Sequence, residues 1–202
     1  MSRLATSFVL GYHGCDRAVA EQAVAGDIQL LYSDRPFDWL GPGAYFWESD
    51  PQRAEEWAKS RAKNGAYDDP CVVGAVIDLR NCLDLLNRPD QDLLAVAYES
   101  LAHIHEKAGL PLPKNKNSKR DSDNDRRLRY LDCAVITHLH ELADQFGGED
   151  IAPFDTVRGM FTEGEEIYPG SAFMGQSHVQ LAVRNNDCIK GVFFPPEMKA
   201  VD

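Results

Sequence analysis

Hydrophobic and polar positions along the chain follow two periods, one of strands and one of helices, and they alternate in a definite order. The run "TSFVLGYHG" is β-branched and aromatic and ends at glycine, which predicts a strand. "CDRAVAEQAVAG" is alanine-rich, with Asp16 placed to cap a helix and Gly26 to stop it. "IQLLYS" and "AYFWES" read as short strands around the turn-rich "DRPFDWLGPG", and "DPQRAEEWAKSRAKNG" as an amphipathic helix that opens on Asp50-Pro51 and ends at Gly65. "CVVGAVIDL" is apolar throughout and fits a central strand. Leu93, Leu94, Ala97, Leu101 and Ile104 then fall at helical spacing, as do Leu131, Val135, Leu139 and Leu142. Three late strands follow in "VRGMFTEG", "HVQLAVRN" and "IKGVFFP". The order implies an α+β fold in one domain over 1–202, strand-rich at both ends, with a helical insertion at about 88–147.

Alternation in "HVQLAVRN" puts Val179, Leu181 and Val183 on one face and His178, Gln180, Ala182 and Arg184 on the other. The first face suits a core. The second opens with polar groups, as does a strand lining a cleft, and a half-solvated sheet edge would show the same pattern.

Composition changes this picture little. Of the 202 residues 44% are hydrophobic and 26% charged, ordinary for a soluble globular protein. No apolar run is long enough to span a bilayer, and the stretch in "MSRLATSFVLGYHG" is too short for a signal peptide. Cys15, Cys71, Cys82, Cys133 and Cys188 are odd in number and form no CxxC, so free thiols in a reducing cytoplasm are expected. The net charge of −11 argues against nucleic-acid binding driven by the whole surface. Residues 114–129, "KNKNSKRDSDNDRRLR", nevertheless carry seven Lys/Arg against three Asp, as a solvated loop or a phosphate-contacting patch would.

Common chemical motifs are missing. There is no GxxxxGK[ST], no HExxH and no GxSxG, and "GPGAYF" lacks the third glycine of a dinucleotide fingerprint. His103/His105 and His138/His140 are spaced two apart, so on a helix each pair diverges and makes a poor metal clamp; no metal is expected.

Three segments in order carry a resemblance: a strand ending "YHG", then "GPGAYF", then a late strand opening "QSHVQLAV". They resemble the signature segments of the ADP-ribosyltransferase superfamily, in its diphtheria-toxin and poly(ADP-ribose) polymerase branch, over about 1–60 and 150–195. The resemblance implies a split β-sandwich core and NAD as co-substrate. It places His13 on the adenosine ribose, the Gly14 backbone on the nicotinamide carboxamide, and Tyr45 in a stack against the nicotinamide ring, with Gly41 and Gly43 shaping the turn before it. Cys15 stands where the family has Ser or Thr. Gln180 takes the position of the family's usual glutamate, with His178 in the polar place before it. An amide can hydrogen-bond ribose hydroxyls but cannot supply negative charge to the cation that develops as nicotinamide leaves. Single transfer is therefore expected rather than polymer synthesis.

The catalytic candidates are thus His13, Tyr45 and Gln180, with Gly14, Gly43 and His178 holding NAD. The loop "FTEGEEIYPGSAFMGQ" would choose the acceptor: Glu163, Glu165 and Glu166 as proton acceptors, Tyr168 and Phe173 as stacking surfaces, and Arg158 before it as a phosphate contact. The resemblance implies a cytoplasmic mono-ADP-ribosyltransferase, a toxin or phage-defence effector. It would act on nucleic acid such as RNA, or on protein, with an antitoxin or chaperone as a further partner and no membrane. An NAD glycohydrolase, or a degenerate module that binds NAD or ADP-ribose, are the alternatives.

Overall fold

A computed structural model describes residues 8–117, 127–146 and 152–196. Most of the basic stretch, 118–126, lies outside the described residues, as do the first two residues of the expected opening strand and the last of the expected insertion.

The chain begins as strand β1 (Phe8–Asp16) and turns at once into helix α1 (Arg17–Ala25). Asp16 is the cap, its carboxylate accepting from Ala18 N at 3.1 Å, and Gly26 ends the helix in a left-handed conformation. Of "IQLLYS" only β2 (Tyr32–Ser33) is strand. Strand β3 (Gly43–Glu48) leads into helix α2 (Pro51–Lys63), where Asp50 Oδ1 accepts from Arg53 N at 2.9 Å. Strand β4 (Pro70–Asp78) is followed by a short strand absent from the sequence-based expectations, β5 (Cys82–Asp84). Helices α3 (Arg88–Ala108) and α4 (Tyr130–Phe146) come next, then β6 (Thr156–Phe161), β7 (His178–Val183) and β8 (Ile189–Phe193).

The strands form one mixed sheet in the order β5-β6-β7-β3-β1-β4-β8, with β2 on β3. It has a weak point. β1 pairs with β4 along its whole length, from Phe8 opposite Asp78 to Asp16 opposite Pro70. With β3 it shares only Gly11 opposite Glu48 and Tyr12 opposite Trp47, after which the two strands diverge. The sheet is therefore two halves joined at one point. Their inner faces pack on each other through Val73, Ala75 and Ile77 on one side and Ala44, Phe46 and Leu181 on the other. Helices α3 and α4 cover the outer face of the β5-β6-β7-β3 half, where Leu101, Val135, Ile136 and Leu139 meet Val157 and Ala182. Helix α2 covers the junction, with Ala54 against Trp47 and Val72. Burial of these apolar faces is the main force holding the layers together.

All five cysteines are free thiols. No helix among the described residues is long and apolar enough to cross a membrane.

Candidate functional site

Where β1 parts from β3, the backbone of β3 offers a carbonyl to whatever side chain lies in the gap. His13 takes it: Nδ1 donates to the Tyr45 carbonyl at 2.7 Å, and the ring packs beside Phe46, centroids 5.7 Å apart. A carbonyl only accepts, so the proton sits on Nδ1 and the Nε2 lone pair is free. Burial holds this imidazole below its ordinary range, against the opposing pull of the carbonyl. Gly14, the next residue, is packed closely: a Cβ there would lie 2.4 Å from the Ala54 carbonyl of α2.

The phenol of Tyr45 is spent on its own turn. Its hydroxyl donates to Gly41 O at 2.7 Å and accepts from Leu40 N at 2.8 Å, and the ring packs on the α3–α4 cluster. Burial pushes its ionisation well above the usual range. Gly41 permits this turn through its positive φ and because a Cβ would meet Ile136 Cγ2 at 2.9 Å. Gly43 is enclosed by Ala182 and Val183 of β7. Tyr45 and His13 thus meet through the Tyr45 backbone, while their rings lie on opposite faces of the sheet, as the alternation of β1 and β3 requires.

Gln180 lies on the β7 face shared with His178 and Ala182, as the alternation predicted. Register places it directly opposite Trp47 of β3 and Gly159 of β6, and Trp47 in turn opposite Tyr12. One row, Tyr12–Trp47–Gln180–Gly159, so crosses the junction of the half-sheets on the face covered by α2. Trp47 is 5% exposed, tilted against Trp57 at 5.9 Å, with the Arg53 guanidinium 5.9 Å from its ring.

His178 stands next to this row, opposite Phe161. Its Nδ1 donates to Gln176 O at 2.7 Å and lies 3.6 Å from the Glu163 carboxylate. Burial lowers its pKa below the ordinary value, with the Gln176 carbonyl and Glu163 pulling the other way. Trp39 lies over it nearly parallel, and the Arg129 guanidinium stacks 4.4 Å from Trp39 and 4.6 Å from Phe161. Glu163 is 4% exposed and bonds Arg53 Nη2 at 3.0 Å, with Arg127 Nε at 3.7 Å. Three arginines from distant parts of an acidic chain thus gather here, two of them from the basic stretch noted in the sequence. Behind Trp39 and Arg129 an open groove of about 820 Å³ runs between α3, α4 and β6, lined by Leu85, Leu94, Tyr98 and Phe161 among others.

Arg158 points to the opposite face, bonding Glu48 at 2.6 and 3.0 Å and Asp84 at 3.2 Å, so both its partners are protein carboxylates. Those carboxylates drive its pKa upward. Glu165, Tyr168 and Phe173 are exposed on the loop between β6 and β7, where the Glu166 carboxylate accepts from Gly170 N. Trp39, Trp47, Arg53, Trp57 and Arg129 were not among the candidates. Arg53 and Trp57 had a legible signal: spaced four apart on one helix, they share a face.

Buried polar groups are normally satisfied, so each unsatisfied one calls for an explanation: strain, a bound water or ion, or a functional role. Eight buried side-chain atoms lack a partner among the described residues, and five belong to this one cluster: Trp47 Nε1, Arg53 Nε, Arg129 Nε, His178 Nε2 and Gln180 Oε1. Donors and acceptors are both represented, with aromatic faces between them. The cluster is suited to a polar, flat-ringed ligand carrying negative charge.

No protein-family model, curated protein or solved structure gave a match to this chain.

Proposed function

We propose that the chain is an NAD-dependent mono-ADP-ribosyltransferase built on a split β-sandwich of the ADP-ribosyltransferase type. The observation that carries this is the concentration of unsatisfied polar atoms around Trp47 and Gln180, beside the single point where the half-sheets join. The residues suit NAD chemically. Trp47, Trp39 and Trp57 offer faces to flat rings, Arg53 offers an unpaired donor to a diphosphate, and Gln180 offers its amide to ribose hydroxyls. His13 lies on the opposite face of the sheet from these residues and holds the β3 backbone beneath them, through its bond to the Tyr45 carbonyl at 2.7 Å.

NAD supplies a ribose C1′ whose bond to nicotinamide is labile. The protein's share of the work is to orient that bond, exclude water with its tryptophans, and hold an acceptor in line, for which proximity supplies much of the rate. The groove behind Trp39 gives an acceptor room beside the site. Macromolecular acceptors, nucleic acid or protein, fit its open form, and the arginines favour one that carries negative charge.

Labelled NAD incubated with the full chain, with and without nucleic-acid and protein fractions, tests the assignment. Wild type releases nicotinamide and carries label into one fraction. Gln180→Ala slows release by about tenfold or more, in line with losing one oriented polar group at a developing charge. No nicotinamide release by wild type with either fraction would reject the assignment.

A further inference from the structure

We infer that Glu163 competes with the diphosphate of NAD for Arg53, so that the β6–β7 hairpin, which carries Glu163, is a latch that opens as NAD binds. The inference rests on the transferase assignment and adds to it a regulation of the same site.

The segment between β6 and β7 is bonded mainly to itself. Gln176 N donates to Glu163 O at 2.9 Å, Gly175 N to Glu165 O at 2.8 Å and Ile167 N to Phe173 O at 3.2 Å, with Ser171 N on Tyr168 O at the tip. Among the described residues, every hydrogen bond made by 164–175 ends within 163–177. Ile167, Tyr168 and Phe173 are left exposed. The charged tie from this hairpin to the body of the protein is Glu163, at its base.

Glu163 is an imperfect partner for the guanidinium it holds. Its carboxylate meets Arg53 Nη2 at 3.0 Å, but Arg127 Nε stands at 3.7 Å and His178 Nδ1 at 3.6 Å, both beyond hydrogen-bond reach. Arg53 Nε, on the same edge of the guanidinium as Nη2, is buried and unpartnered. Arg158 shows what that edge can do, placing both Nε and Nη2 on Glu48 at 2.6 and 3.0 Å. Glu163 thus uses half of a fork that Glu48 uses whole. Two oxygens of a diphosphate spanning Nε and Nη2 would complete it, with more charge than one carboxylate brings. The fork is within reach of a solute: the side chain of Arg53 is 16% exposed and that of Arg127 44%, while Glu163 stands inward of both.

The exchange is close to balanced, as a latch requires. Releasing Glu163 gives up one charge-assisted hydrogen bond and returns a carboxylate to water, and the diphosphate gains the fork. Affinity for NAD is lowered by the share of molecules in which Glu163 holds Arg53. Opening carries Tyr168 and Phe173 along with the hairpin, so the same event that admits NAD rearranges the loop expected to choose the acceptor.

The test reads binding and motion rather than turnover. Full-length wild type and Glu163→Gln are titrated with ADP-ribose by tryptophan fluorescence, Trp47 lying beside Arg53. Glu163→Gln is expected to bind about tenfold more tightly, the ordinary size of such a coupling. Glu55→Gln, the same charge change on α2 at a residue paired with Lys59, is expected to leave the affinity unchanged. A hairpin cut loose is marginally stable, so amide hydrogen exchange of 164–175 in wild type is expected to quicken with ADP-ribose, and also with inorganic pyrophosphate, which has the anionic group alone. This second arm needs wild type only and stands whether or not the variant folds. Equal or weaker binding by folded Glu163→Gln, or hairpin exchange that both ligands leave unchanged, would overturn the inference. Absence of nicotinamide release in wild type, with binding and exchange as expected, removes the transferase assignment and leaves the latch in place.

Discussion

At the scale of single residues, two side chains with similar prospects in the sequence end on opposite faces with different work. Arg158 and Gln180 lie on paired neighbouring strands, yet the first points to Glu48 and Asp84 and the second to Trp47. The period of two decides this, and for Gln180 it was legible in "HVQLAVRN"; the partners waiting on each face were not, because they come from β3 and β5. Arg158→Ala is therefore expected to behave as a stability mutant. It leaves two partly buried carboxylates facing each other and costs on the order of 2 kcal/mol, less than the loss of a fully buried ion pair. A lowered urea midpoint with an unchanged NAD affinity is the expected outcome; loss of NAD binding at full stability would place Arg158 in the site. Tyr45 shows the limit of motif reasoning. The resemblance placed the Tyr45 ring in a stack against nicotinamide, and nothing local announced that Gly41 and Leu40 would take both sides of its hydroxyl.

At the scale of elements, most of the order was readable because caps and apolar spacing are local signals. Asp16 and Asp50 cap the helices they were expected to cap, and "HVQLAV" is a strand from His178 onward. β5 escaped because three residues carry too little alternation, and its parallel pairing with β6 depends on a partner far along the chain. "IQLLYS" shrank to two residues: of its apolar side chains Leu30 enters the core at 3% exposure, while Ile28 and Leu31 stay exposed and no ladder forms around them. Helix α2 is the element on which the site depends most, since it brings Arg53 and Trp57 to Trp47. Asp50→Ala removes its N-cap and is expected to destabilise the protein by about 1 kcal/mol, read as a lower urea midpoint. Asp50→Ser, which keeps a capping oxygen without the charge, should restore most of that stability. If serine fails to do so, the carboxylate acts through its charge toward His178 rather than as a cap.

At the scale of the whole molecule, stability and pH are tied through imidazoles held neutral by burial. His140 on α4 is the clearest, 3% exposed, with both ring nitrogens unpartnered and its pKa held down to about 3 from 6.5 by burial and then by Arg184. Its folded value lies below its unfolded one, so between those two values the unfolded chain binds the extra proton. The associated stability is complete above about pH 6.5 and declines as the solution is acidified. From pH 7.5 to pH 5 the loss from this residue amounts to about 2 kcal/mol. Urea midpoints of wild type and His140→Phe across that range should therefore converge or cross as pH falls, the variant lacking this part of the acid slope. Parallel slopes would show that His140 takes up its proton without unfolding. None of this was visible in "ITHLHEL", whose spacing said only that the two histidines diverge on a helix: burial on α4 depends on what packs against it, here Phe154 at a centroid distance of 6.0 Å.

The junction between the half-sheets owes its closeness to an atom that is absent. A methyl group on Gly11 would stand 2.6 Å from Ile77 Cδ1 and 2.8 Å from Phe46 Cβ, on one of the two rungs that bind the halves. Even alanine at this position would act as a wedge driven into the spine of an open book. Because Tyr12 and Trp47 form the neighbouring rung, prising the spine apart would also widen the floor on which the row of Tyr12, Trp47, Gln180 and Gly159 rests. The spacing of that row is therefore set from behind, by a hydrogen atom where every other amino acid carries a carbon.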